Sequence, residues 1–266
     1  MTTLANERTS EHPSPTATTR RRAVSFSYFL YCEVLKIFRD PAAVITTVCF
    51  PAVIFMIVGL RLPGLASTIL ASEAAYGAFL VSITSFSIML ATERSLGWNR
   101  LLRTTSMSSA LYLGCKLLVI LVTGAVSMVL LFAVAASIGG VHLALAVWAQ
   151  LLGIMLLGII PLGLLGLFLG FLGSVGLTVA LSISLLVVMS FASGIFVPLQ
   201  FLPAFLQQIA PYLPTYQLVQ LGWSVVGSPS ADGQIWTHAL ILLAYAAGFA
   251  VLAGWAYIRD ENKNFA

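Results

Sequence analysis

The sequence predicts an all-α membrane protein with six transmembrane helices, an N-terminal amphipathic interfacial helix and two short re-entrant helices before the last span. Three observations carry this. The chain of 266 residues is 59% hydrophobic and only 8% charged, where a soluble domain carries about 25% charged residues. From Leu117 to Ala231 there is no Asp, Glu, Lys or Arg, the side chains that normally cover a water-facing surface. The Lys and Arg that do occur fall almost entirely on one set of alternate loops. Lipid is therefore the solvent for most of the chain, which excludes a nuclease, a cytosolic enzyme, a secreted disulfide scaffold and a disordered tail protein. Cys32, Cys49 and Cys115 have no metal-like spacing and read as small hydrophobes.

Residues 1–22 read as a disordered, basic cytoplasmic tail. Met1 to Thr19 offers almost no large apolar side chain to bury, and Arg20, Arg21 and Arg22 follow. A cleaved signal is not expected, because Glu33, Lys36, Arg39 and Asp40 interrupt the next apolar stretch. Residues 23–40 read instead as an interfacial helix, Val24 to Arg39. Phe26, Phe29, Leu30, Val34 and Ile37 recur at three-and-four spacing, with Glu33, Lys36 and Asp40 opposite. Such a helix is expected to lie in the headgroup plane, its arginines near anionic lipid, and Pro41 marks its end.

Residues 41–258 hold the six-helix transmembrane domain, with a cytoplasmic tail over 259–266. The spans are expected at Pro41 to Leu60, Ala74 to Thr92, Leu111 to Ile138, Ala144 to Leu172, Ser174 to Val197 and Ile235 to Ile258. With the N-terminal tail inside, Arg8, Arg20, Arg21, Arg22, Lys36, Arg39, Arg94, Arg100, Arg103, Lys116, Arg259 and Lys263 all fall on the cytoplasmic side, and only Arg61 falls outside. The positive-inside rule predicts that asymmetry, and an odd number of spans would destroy it. Both termini are expected to be cytoplasmic, in a cell (plasma) membrane protein. In the fourth span, Gly166 and Gly170 form a small-xxx-small pair, suited either to close packing within one subunit or to a dimer contact. Pro161 is expected to bend that span.

Two other segments bear on function. The inner loop from Glu93 to Thr104 sets Leu96, Leu101 and Leu102 among alternating charges. It fits a surface helix about 15 Å long for ten residues. It is either an ordinary solvated loop or a lever that docks into a partner, with Trp98 and the leucines as anchor and the arginines as polar rim. The outer segment Pro198 to Gln234 has no Lys or Arg and one acid, Asp232. A helix is expected from Phe201 to Ile209, with Pro203 in its first turn and Phe205, Leu206 and Ile209 on one face. A second is expected from Thr215 to Val226. A loop this apolar must dip back against the bilayer edge, where irregular backbone is tolerated only beside protein or a cavity.

At these residues the chain resembles a known family. Ser193-Gly194-Ile-Phe196-Val-Pro198, Leu202-Pro203 and Leu213-Pro214-Thr215-Tyr216 look like the signature near the end of ABC-2 type transporter permeases. Glu93-Arg94 through Gly97 to Leu101 is similar to that family's coupling segment. Family members often place a proline soon after it, where this chain has Thr104-Thr105-Ser106. The resemblance covers residues about 25 to 260 and implies the membrane subunit of an ATP-binding cassette exporter. Two permease subunits, alike or unlike, would face each other in the bilayer above separate ATPase subunits. ATP and magnesium would be bound on that partner, leaving this chain without a cofactor and without an enzymatic activity of its own. It has no glycine-rich phosphate loop ending in Gly-Lys-Ser or Gly-Lys-Thr. Coupling to the ATPase would fall to Glu93, Arg94, Trp98, Arg100, Leu101 and Arg103, with Glu33, Lys36 and Arg39 on the interfacial helix.

Polar but neutral Ser82 and Ser85, with Phe191, Phe196 and Tyr216, are candidates for the substrate path. They suit an amphipathic or lipid-like cargo such as a drug, a glycolipid, a polyketide or a polysaccharide, as in multidrug export. Equally, the hydroxyls could satisfy helix backbone and the aromatics form an interface belt. No nucleic-acid partner is expected. Two other classes compete. An ion-coupled secondary transporter needs titratable groups in the membrane, for which Glu73 and His238 are candidates. An intramembrane serine protease could pair Ser193 with His238, although Phe191-Ala192 does not supply the glycine two residues before the serine.

Overall fold

The computed structural model describes residue 28, residues 30–97 and residues 109–263. Trp98, Arg100, Leu101 and Arg103 lie outside the described residues, as do Phe26 and Phe29 of the expected interfacial helix. The described elements are helical. Helix α1 covers residues 30–38 and ends at Asp40, whose carboxylate accepts the backbone N–H groups of Ala42 at 3.0 Å and Ala43 at 3.3 Å. That cap, with proline in the first turn where no N–H is needed, starts the next helix at once.

Among the described residues, six helices are long and apolar enough to cross a membrane. They are α2 (Pro41–Arg61), α3 (Pro63–Ser95), α4 (Leu111–Ser137, its first turn beginning two residues earlier), α5 (Leu145–Leu172), α6 (Val175–Ala192) and α9, whose apolar part is Ile235–Asp260. Between α6 and α9 lie α7 (Ala204–Ile209) and α8 (Pro214–Val225). Each begins just after a proline or on one, which sets the backbone for a first turn. Helix α9 continues to Lys263. The sheath of exposed Ile, Leu and Val on α2, α6 and α9 is what lipid requires. Trp236 and Trp255, both exposed, mark the two ends of α9. They stand about 28 Å apart at 1.5 Å per residue, close to the thickness of a hydrocarbon core.

Helix α3 departs from expectation. The sequence places its span at Ala74 to Thr92, yet the helix is continuous from Pro63. Its N-terminal turns carry Ser67, Thr68, Ser72 and Glu73, so hydropathy alone does not register them. They are helical because protein, not lipid, surrounds them: 78% of the most apolar window of α3 is buried, against 17% for α9. Helices α3 and α5 form the centre of the bundle, with α2 and α4 to one side, α8 and α9 to the other and α6 along α3.

The α3–α5 contact depends on glycine. A Cβ on Gly166 would overlap the backbone oxygen of Ser82, and one on Gly170 would meet Leu90 at 2.8 Å and the Ser87 carbonyl at 3.1 Å. The glycine pair therefore packs within the subunit. Opposite it, α3 opens into a π-helical turn over Val81–Phe86, and α2 has a similar turn over Val44–Cys49. The two wide turns are joined by Thr47 and Ser85, whose hydroxyls are 2.8 Å apart.

Candidate functional site

The C-terminal end of α3 carries two opposite charges in succession, Glu93 and Arg94. Neighbours on a helix point about 100° apart, so each engages a different side of the bundle. Glu93 is buried. Its Oε1 takes hydrogen bonds from Lys116 of α4 at 2.6 Å and from Lys36 of α1 at 3.0 Å. Its Oε2 takes one from the Tyr112 hydroxyl at 2.5 Å. Lys116 is fully buried and also donates to Glu33 of α1. Two carboxylates and two ammonium groups so form a cluster without net charge, buried at Glu33, Glu93 and Lys116 and open to water at Lys36. Burial alone would lower the pKa of Lys36, but its hydrogen bond to Glu93 and the charges of Glu93 and Glu33 outweigh this. They hold its ammonium above the ordinary range.

This corrects one expectation. Glu33 does not share an outward polar face with Lys36 and Asp40; it is buried, while Tyr28 and Tyr31 of α1 are exposed. The helix turns an acid inward because α4 presents a lysine that would otherwise be an uncompensated buried charge. Arg39 is exposed.

Arg94 reaches the other side. Its guanidinium donates to both carboxylate oxygens of Asp260 on α9, the contact from Nε measuring 3.1 Å. It also donates to the carbonyl oxygens of Gly170 at 2.5 Å and Gly173 at 3.4 Å, at the end of α5. Its cationic carbon sits 5.2 Å from the centre of the Phe171 ring. The last turn of α3 is thus fastened to α1 and α4 through one residue and to α5 and α9 through the next. Three residues beyond Arg94 the chain turns at Gly97, whose φ of 75° suits glycine, and enters the segment that contains Trp98 to Arg103.

The substrate-path candidates do not converge. Ser82 is buried in the α3–α5 contact and donates to the Ala78 carbonyl at 2.7 Å. Ser85 is held by Thr47. Phe191 and Phe196 pack on each other at 5.5 Å, and Phe196 on Tyr76 at 4.9 Å. Tyr216 lies apart, its ring edge-on to His238 at 6.0 Å. The segment from Pro198 to Gln234 is tied down by a polar network that periodicity does not reveal. His238 Nε2 lies 2.8 Å from Asp232, and Nδ1 contacts the Gln217 side chain. The backbone N–H of Asp232 donates to Gln220 at 3.2 Å, and Trp223 Nε1 donates to Ser72 at 3.0 Å. Burial would raise the Asp232 pKa, but the Gln234 backbone N–H and His238 more than offset it, holding the carboxyl below its ordinary value. Ser193 donates to the Ser190 carbonyl at 3.4 Å, so it and His238 engage different partners. The described residues bring together no group of three or more His, Cys, Asp and Glu fit to hold a metal.

A bundle of six helices long and apolar enough to cross a membrane, pinned at one end by a charged hub and held at the other by an apolar, proline-broken segment, defines a multi-pass membrane protein. Residues 61–255 match the family described as ABC-2 family transporter protein, and the chain belongs to that family. Membership implies an ATP-binding cassette partner. The chain is also similar to the protein named "Putative transport permease YvfS" of Bacillus subtilis (strain 168). It is 27% identical over 198 residues, which make up 70% of this chain and 78% of that one.

Proposed function

We propose that this chain is the permease subunit of an exporter that moves an amphipathic or lipid-like substrate outward on ATP hydrolysed by a separate subunit. The observation that carries the reading is the junction at Glu93 and Arg94. The segment that resembles the family's coupling element leads directly out of a helix end bonded to α1, α4, α5 and α9. A push on residues 98–103 reaches four helices within one turn, and the central helix α3 carries it towards the outer segment. Helix α1 lies along the inner headgroups as part of the same hub, with both termini in the cytoplasm of a cell membrane. Helices α7 and α8 re-enter from the outer side, α8 sheathed in protein and α7 at the bilayer edge; exposed Phe205, Ile209 and Tyr212 support the placement of α7 and the turn after it. ATP and magnesium reside on the partner, and two permease subunits enclose the path.

The test is purification of the tagged chain with and without the phosphate-loop ATPase that accompanies it. The chain alone should hydrolyse no ATP. The pair should hydrolyse it, and Arg100→Glu with Arg103→Glu should separate the two. ATPase activity in the chain by itself, or a stable pair that ignores those charge reversals, would overturn the reading.

A further inference from the structure

Glu73 lies 20 residues before Glu93 on the same helix, about 30 Å away along the axis, and so near the opposite face of the hydrocarbon. It is 3% exposed, and among the described residues its Oε2 has no hydrogen-bond partner. The basic residue expected on that side, Arg61, is exposed and forms no ion pair with it among the described residues. A buried carboxyl kept only for structure is normally saturated with hydrogen bonds. An ionisable side chain left open inside a membrane protein awaits a partner.

The surroundings indicate the partner's chemistry. Tyr76 is one turn away on the same face of α3. Its ring packs on Phe196 at 4.9 Å and Phe50 at 6.1 Å, and Phe196 packs on Phe191 at 5.5 Å. Phe50 and Phe191 are both exposed at the chain's apolar surface. A line of aromatic rings therefore runs from that surface to Tyr76, beside the unfilled carboxyl. Ring faces attract cations, and a carboxyl group at the end of such a line, ionised once an ammonium lies against it, complements a cationic amine on an apolar body.

We propose that Glu73, with Tyr76 and Phe196, binds the cationic amine of an amphipathic cargo at the outer end of its path. The proposal rests on the reading of the chain as a permease and narrows its substrate class. Binding can be read without nucleotide or ATPase, so its failure would leave that reading standing.

The probe is dansylcadaverine, a fluorescent primary ammonium, against its neutral N-acetyl derivative. Both are titrated onto the full chain in nanodiscs of neutral phosphatidylcholine at pH 7. The wild type should favour the ammonium by roughly tenfold, the scale of one desolvated charge contact. Glu73→Gln should abolish that preference and leave N-acetyl binding within about twofold, while Glu73→Asp retains part of the preference. Equal affinity of the two probes for the wild type would overturn the proposal whether or not a variant folds. An undiminished preference in folded Glu73→Gln would overturn it too.

Discussion

Lys116 Nζ lies 2.6 Å from Glu93 Oε1, inside a protein interface that leaves the lysine no exposed surface. A lysine so placed is tolerable only because Glu33 approaches from the other side and the pair of acids is balanced by Lys36. The contact joins α3 to α4, and through Glu33 it closes α1 over both.

Replacing Lys116 with Met should therefore cost more than the loss of one ion pair, since it leaves two buried carboxylates to share the exposed ammonium of Lys36. A destabilisation of about 3–5 kcal/mol is expected, read as a large fall in the thermal midpoint in nanodiscs. Adding Glu33→Gln to Lys116→Met should recover part of the loss. A midpoint unchanged in the single variant would show that the cluster does not hold the helices together.

Arg94 makes a fork to Asp260, bonds to two carbonyls and a contact with an aromatic face. Lysine can place one charge there but not the fork, so Arg94→Lys should behave closer to Arg94→Met than to wild type. A double-mutant cycle of Arg94→Met with Asp260→Asn should give a coupling of about 1–3 kcal/mol. ATP-driven transport should fall in both single variants.

Gly166→Ala places a methyl group against the backbone oxygen of Ser82, which cannot rotate away as a side chain can. Overpacking of this kind costs about 1–3 kcal/mol. Gly153→Ala, with open space around it, is the control and should leave the thermal midpoint no lower than that of the wild type.

The outer network predicts a dependence on acid. The folded state holds the Asp232 carboxyl below its ordinary value of 3.8. Its stabilisation is thus complete above that value and is lost as pH falls through the lower, folded one. Thermal midpoints followed from pH 5 down to 2 should decline, and Asp232→Asn should remove the part of the decline due to this group. Because Asp232 is about a third exposed, the contribution is small; an identical slope in the variant would exclude it.

What the sequence by itself determined is what hydrocarbon imposes residue by residue. Six apolar lengths, Pro41 as the start of the first span, and the one-sided distribution of Lys and Arg are local quantities, and so is the motif order that carries the family resemblance. The glycines of α5 were legible too, although only their neighbours Ser82, Ser87 and Leu90 settled which partner they approach. Tertiary structure alone decided where the charges go. Glu33, Glu93 and Lys116 are 60 and 23 residues apart in sequence, and no periodicity announces that they share one buried site. The same holds for Arg94 with Asp260 and for His238 with Asp232 and Gln217. A residue's hydropathy is a transfer cost to lipid, whereas these side chains are stable because another helix supplies the opposite charge or the missing hydrogen bond. Helix α3 shows the same division, since its N-terminal turns are too polar for lipid and become helical only inside protein.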